Sequence, residues 1–325
     1  MTEKERKGLR IVFWGTPKFA VTSLHRIVEE GYEVCMVVTT PDKPVGRHQS
    51  RLTPSAVKEY ALEKGLPLMQ PANLDDGEFL EALKWTRADV GVVVAFRKLP
   101  KMAWAMPRLG TFNLHASLLP NYRGAAPINW AIMNGEKETG VTTFMIDDKI
   151  DTGGILLSST TEIGGDETFG EVSDRLMEMG AELTLRTIKG IETGSLTAMP
   201  QRVPEPEKLK KAPKLFRENT RIDLGGSPET VHNFVRGLSP VPAAWTMIGE
   251  EGKAPQQLKI FRTRPRYEKH ELERGTICQM AEDALSIAVD GGYVDALDVQ
   301  LAGKKRMAAK ELLKGHRSIL DMHCI

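Results

Sequence analysis

An unbroken apolar run followed by a helical pattern, repeated along the first 115 residues, restricts the fold more than any other feature of the sequence. LRIVFWG at 9–15 is short, apolar throughout and stopped by glycine. Such a run fits a strand buried on both faces. The helix expected next has Pro17 in its first turn, Phe19, Leu24 and Ile27 near one face, and Gly31 at its close. VCMVVTT (34–40) and DVGVVVAF (89–96) repeat the buried-strand pattern, with helices expected at 55–64 and within 78–86 between them. Buried strands alternating with helices predict an α/β fold with a Rossmann-like parallel sheet covered on both faces. Crossovers in such a sheet are right-handed, and ligands collect at the carboxyl ends of its strands.

GTFNLH (110–115) continues the sheet. APINWAIMNG reads as a helix from Pro127 to Asn134-Gly135, TGVTTFMI (139–146) as the next strand, and 167–191 as a long helix. Beyond residue 190 the texture changes. ETGSLTAMPQRVPEPEKLKKAPK is rich in proline and lysine and nearly aperiodic, which predicts a linker. A helix is expected within 221–237. After it come short strands at even spacing (243–248, 256–264, 275–280, 284–289, 295–303), the pattern of a small OB-like β-barrel. The expected domains are therefore 1–190, a basic linker 191–212, and 213–325.

Composition sets limits on function. Apolar residues make up 41% and charged residues 27%, as in ordinary globular proteins, and no apolar run reaches the length of a membrane span. MTEKERKGLR is charged and mixed in sign, unlike a secretory or transit peptide. Cys35, Cys278 and Cys324 are scattered and suit a reducing, cytoplasmic setting. His25, His232, His270 and His316 have no partner spacing, and His323-Cys324 is too short a cluster for zinc, so no metal is expected. A slight acidic excess before residue 200 and a slight basic excess after it permit a polyanionic partner for the second half.

Asn113 and His115 stand two apart on an expected strand and so share a face, with Leu114 opposite. They fall at the carboxyl end, where an open sheet builds its site. A carboxamide supplies a fixed N–H donor for an oxyanion, worth about 3 kcal/mol in acyl transfer. An imidazole donates or shuttles a proton. A histidine in that role needs a carboxylate to orient it, and Asp147, Asp148 and Asp151 in a later loop are all candidates.

NLHASLLP at 113–120, followed by D-x-x-D-T-G-G at 148–154, resembles the folate-dependent formyltransferases. The resemblance implies that Asn113, His115 and Asp151 form the active site. It implies that Ser117, Leu118, Leu119 and Pro120 line a folate cleft, and that the co-substrate is 10-formyltetrahydrofolate. Asn113 and protonated His115 would stabilise the oxyanion, while Asp151 holds His115 and helps move the proton. Stretches at 13–20, 41–58, 123–128, 221–246 and 301–307 resemble the branch of that family whose acceptor is the free amine of initiator methionyl-tRNA. By the same resemblance the loop 41–58 would enter the acceptor end, with Arg47 and Arg51 on phosphate or base edges. Lys208, Lys210, Lys211 and Lys214, with the basic stretch LKIFRTRPR (258–266), would hold the tRNA body by charge, and the protein would act as a monomer. The chain departs from the family pattern at Arg97, where a glycine is usual, at the bulky Trp14, and at Leu224, where a tryptophan is usual.

Overall fold

The first sheet of the computed structural model has seven strands. The structure describes residues 7–45, 51–203, 205–250 and 252–325. The strands are β1 (Lys7–Gly15), β2 (Tyr32–Val38), β3 (Leu68–Met69), β4 (Val90–Val94), β5 (Thr111–His115), β6 (Glu138–Met145) and β7 (Ile155–Glu162). Their order is β7-β6-β5-β4-β1-β2-β3. The pairs β1–β2, β1–β4, β2–β3 and β4–β5 are parallel, as the alternating pattern requires. β6 is antiparallel to β5, so the parallel sheet carries a reversed strand towards one edge. Thr142 in the middle of β6 pairs with His115 at the end of β5, so β6 enters the sheet at the carboxyl end of β5.

The helices of this part are set by local chemistry. Helix α1 (Lys18–Glu29) buries Ala20, Leu24 and Ile27 and is followed by Gly31 at φ +86°. Helices α2 (Ala56–Glu63) and α3 (Gly77–Trp85) start at Ser55 and Asp76, whose side chains accept the N–H of Lys58 and Phe79. Trp14 is fully buried beside α3. It fits because the neighbouring strand offers Gly91: a Cβ there would lie 2.7 Å from the indole.

The chain divides into two compact units that do not follow chain order. One comprises Met1–Gly124, Gly140–Thr161 and Ser173–Lys211; the other Ala125–Thr139, Glu162–Val172 and Ala212–Ile325. In the second unit, β8 (Ala244–Gly249), β9 (Gln256–Arg266), β10 (Ile277–Cys278), β11 (Leu285–Val289), β12 (Gly292–Leu301) and β13 (His323–Cys324) run in the order β10-β11-β12-β9-β8-β13. A bridge between Thr276 and His323 brings the ends of this sheet together, giving the nearly closed barrel that the strand spacing implies. Leu258, Ile260, Ile287, Val294 and Val299 fill it.

Three further helices are α4 (Pro127–Met133), α5 (Phe169–Glu192) and α6 (Pro228–Leu238). Within the second unit α4 and α6 pack closely. A Cβ at Gly237 would sit 2.6 Å from Met133 Cγ and 3.1 Å from the Asn129 carbonyl. Asn129 Nδ2 donates to the Gly237 carbonyl at 2.8 Å. Arg236, 3% exposed, donates to the carbonyls of Gly164 and Glu167, both at 3.0 Å, and its Nε to Asn233. His232, also buried, faces Thr263 and the Gly165 carbonyl through its two ring nitrogens. α4 and the 162–172 segment thus share a core with the barrel helix.

The long helix α5 begins with a reciprocal cap. Thr168 N–H and O–H both donate to Glu171 Oε2, at 2.8 and 2.7 Å. These bonds, with the Arg262 guanidinium, hold the Glu171 carboxyl down at about 2. A carboxylate depressed in the folded state adds stability above its unfolded value, about 4.3, and loses it as pH falls through the folded one. Glu171→Gln is therefore expected to lower the melting temperature at pH 7. The difference from wild type should shrink between about pH 4.5 and 2, as thermal melts across that range would register.

Candidate active site

β5 presents Asn113 and His115 on one face. Leu114 points the other way, against Gly180 of α5, where a Cβ would lie 2.7 Å from its methyl. Cross-strand register sets Trp14, Val93, Asn113 and Phe144 in one row across β1, β4, β5 and β6. Asn113 is the polar member of that row. It is half-buried, and its carboxamide has no hydrogen-bond partner among the described residues. An amide left open in an apolar row is a donor available to a ligand.

His115 is 6% exposed, with its ring edge towards Phe144. Nε2 lies 2.8 Å from the Tyr122 carbonyl. A carbonyl only accepts, so Nε2 carries a proton. Nδ1 lies 3.9 Å from Asp151 Oδ2, longer than a hydrogen bond but close for two charges. Nε2 is thus held by the protein, while Nδ1 faces Asp151 without a hydrogen bond. Asn113 carries the open donor beside this ring.

The structure separates the three candidate carboxylates. Asp147 accepts from Thr152 Oγ1 and the Lys149 N–H, and caps its own loop. Asp148 is exposed near Lys101. Asp151 faces His115, and its Oδ2 also accepts the Gly124 N–H at 2.9 Å. Asp151 and Tyr122 both take a left-handed backbone, φ +54° and +59°, costly for residues with a side chain and persistent only where neighbours enforce it.

Ser117 is fully buried and donates to the Asn121 carbonyl at 2.8 Å. Leu119 is buried, while Leu118 and Pro120 are half-buried. Arg97 reaches back to the carbonyls of Ala72 and Pro71, tying two loops together. The glycine usual at that position has no side chain to make such a tie.

Among the residues expected to contact a polyanion, Arg47 lies outside the described residues. Arg51 lies in the hairpin formed by Lys43–Val45 and Arg51–Thr53. Lys208 sits in a short 3-10 turn beside Glu205, and Lys210 and Lys211 are exposed. The backbone of Lys210 is not free. Tyr122 N–H donates to its carbonyl at 2.6 Å, and its own N–H donates to Asn121 Oδ1 at 3.2 Å. In the stretch 258–266 the arginines have carboxylate partners within the unit. Arg262 pairs with Glu171, Arg264 with Asp283, and Arg266 with the buried Asp295.

Sequence reasoning missed two residues, Gln201 and Arg236. Gln201 is a lone polar side chain in a segment without periodic signal, Arg236 lies within the expected helix, and the importance of each lies in partners far along the chain.

Residues 9–188 match the formyl transferase family, and residues 214–317 match the formyl transferase C-terminal domain. A methionyl-tRNA formyltransferase from Parabacteroides distasonis is 48% identical over 320 residues, 98% of each chain. Among solved structures, HypX from Aquifex aeolicus superposes with a TM-score of 0.62 at 19% identity over 95% of this chain. The chain spans about half of that protein, 48% of its length. An N-formyltransferase from Helicobacter canadensis, solved with folinic acid and dTDP-3-aminofucose, gives 0.61 at 19% identity over 89% of this chain and 99% of its own. At such identities these structures speak for the fold alone. Among the described residues, no helix is long and apolar enough to cross a membrane, and no three His, Cys, Asp or Glu side chains are grouped to hold a metal.

Proposed function

Because the chain belongs to the formyl transferase family, we propose that it transfers the formyl group of 10-formyltetrahydrofolate to the free amine of initiator methionyl-tRNA, giving the N-formyl product used to start translation. What carries this reading is the near-full-length likeness to a methionyl-tRNA formyltransferase, together with the His115–Asp151 pair beside an open carboxamide. The more distant sugar-modifying relative is alike at only 19% identity.

In the reaction, the amine nitrogen bonds to the formyl carbon, the bond from that carbon to N10 of the folate breaks, and the proton lost by the amine ends on N10. Asn113 donates to the oxygen that becomes negative in between, where a fixed donor acts without reorganisation. Asp151 retains Oδ1 outside its bond to Gly124 and accepts the amine proton on its way to N10. His115 faces Asp151 and steadies both the carboxylate and the developing charge. The donor is an activated formamide and the neutral amine a competent nucleophile, so the chemistry calls for no metal. The stretch 117–120 borders the folate cleft. Ser117 acts there by holding the backbone at Asn121, and Leu118 and Pro120 supply partly accessible apolar surface.

We assign catalysis to residues 1–190 and tRNA binding to 213–325, with the basic segment 191–212 between them. Arg47 and Arg51 contact phosphate or base edges at the acceptor end, and Lys208, Lys210 and Lys211 hold the tRNA body by charge. The protein works as a monomer in the cytoplasm. Incubation with 10-formyltetrahydrofolate and methionyl-tRNA tests the activity directly: Met-tRNA left unformylated would end this reading. Replacing Lys208, Lys210 and Lys211 by alanine is expected to weaken tRNA binding. The slope of log K against log salt should flatten by about 0.7–0.9 for each phosphate no longer neutralised, as filter-binding titrations would measure. An unchanged slope would remove these lysines from the interface.

A further inference from the structure

We infer that Gln201 is a positioning residue of the formyl transfer, and that its single carboxamide holds together the two loops that orient the His115–Asp151 pair. The inference rests on the reaction proposed above. Oε1 accepts from Arg123 Nη2 at 2.6 Å and Nε at 3.2 Å. Nε2 donates to the carbonyls of Asp151 at 3.0 Å and Gly153 at 2.9 Å. Both amide protons and the oxygen are thus in use, one side of the group on each loop.

Those loops are the ones that orient the pair. Tyr122, next to Arg123, supplies the carbonyl on His115 Nε2. Gly124, on the other side of Arg123, supplies the N–H on Asp151 Oδ2. Gln201 therefore grips the turn from which both catalytic side chains are steered, and also the backbone of Asp151 itself. Tyr122 and Asp151 are the two left-handed residues of the site, so relaxation of either backbone would carry its partner away from the 3.9 Å approach.

The segment bearing Gln201 is anchored for the task. Met199 and Ile155 exchange backbone hydrogen bonds at 2.7 and 2.8 Å. Gly153 is pressed on the end of β6, where a Cβ would lie 1.7 Å from the Met145 carbonyl, so the close approach of this loop requires glycine. No other side chain substitutes for the amide. Glutamate keeps the acceptor for Arg123 but sets a carboxylate against two carbonyls, asparagine is one carbon shorter, and methionine keeps the length without donors or a strong acceptor.

The test uses the full-length protein and Gln201→Met. Folding is checked by circular dichroism. kcat and KM are then measured for formyl transfer to Met-tRNA, and the His115 ring nitrogens are observed by 15N NMR. The expected result is a folded variant with kcat lower by about a hundredfold, KM nearly unchanged, and shifted His115 resonances. A folded variant with wild-type kcat and an unmoved His115 spectrum would overturn the inference. Should Gln201→Met not fold, Arg123→Met cuts the same bridge at its other end and is read by the same two measurements. If the wild type itself failed to formylate Met-tRNA, the proposed reaction would fall. The His115 resonances would still decide whether Gln201 sets the pair.

Discussion

A chain carrying His115→Ala is expected to transfer formyl groups about a hundred to ten thousand times more slowly than wild type, with tRNA affinity nearly kept. The ring is buried, has one nitrogen on the Tyr122 carbonyl and turns the other towards Asp151, so its removal strips the charge balance from that carboxylate. Asp151→Asn keeps the shape but replaces a proton acceptor by an amide, and belongs in the same range. Asn113→Ala removes only the open donor and should cost about a hundred- to a thousandfold in kcat. Steady-state kinetics with filter binding on the same samples separates these outcomes. If any of the three variants bound tRNA more weakly in proportion to its fall in kcat, its residue would be part of binding rather than of chemistry.

A chain ending at residue 212 is expected to fold poorly and aggregate rather than yield a free catalytic domain. The family match to 9–188 invites such a truncation, but 125–139 and 162–172 share a compact unit with 212–325. Removing α6 would strip its packing from Met133 and Trp130, and the Arg236 bonds from the carbonyls of Gly164 and Glu167. The apolar faces of α4 and of the 162–172 segment would then lie open to water, at about 25 cal/mol per Å² exposed, against a total stability of about 5–15 kcal/mol. Gel filtration and thermal melting of the truncated chain check the point. A monomer with a sharp unfolding transition would show that α4 holds its place without the barrel helix. Inactivity after truncation therefore does not by itself distinguish a tRNA acceptor from a small amine.

The sequence by itself determined the elements and the placing of Asn113 with His115. Apolar runs stopped by glycine, capping residues such as Ser55 and Asp76, and the period of two along β5 act over a few residues, so they are legible before any fold exists. The fit of Trp14 was already written in Gly91, but only the register of β1 on β4 makes the two neighbours. Tertiary structure decided the rest. It turned Asp151, and not Asp147 or Asp148, towards the imidazole. It set Gln201 between the turn at Arg123, 78 residues away, and the 151–153 loop, 48 to 50 away, joined Asn129 to Gly237 across 108, and matched the arginines of β9 with carboxylates. A polar side chain takes its role from whatever partner the folded chain brings within about 3 Å. That distance carries no periodic mark in the sequence.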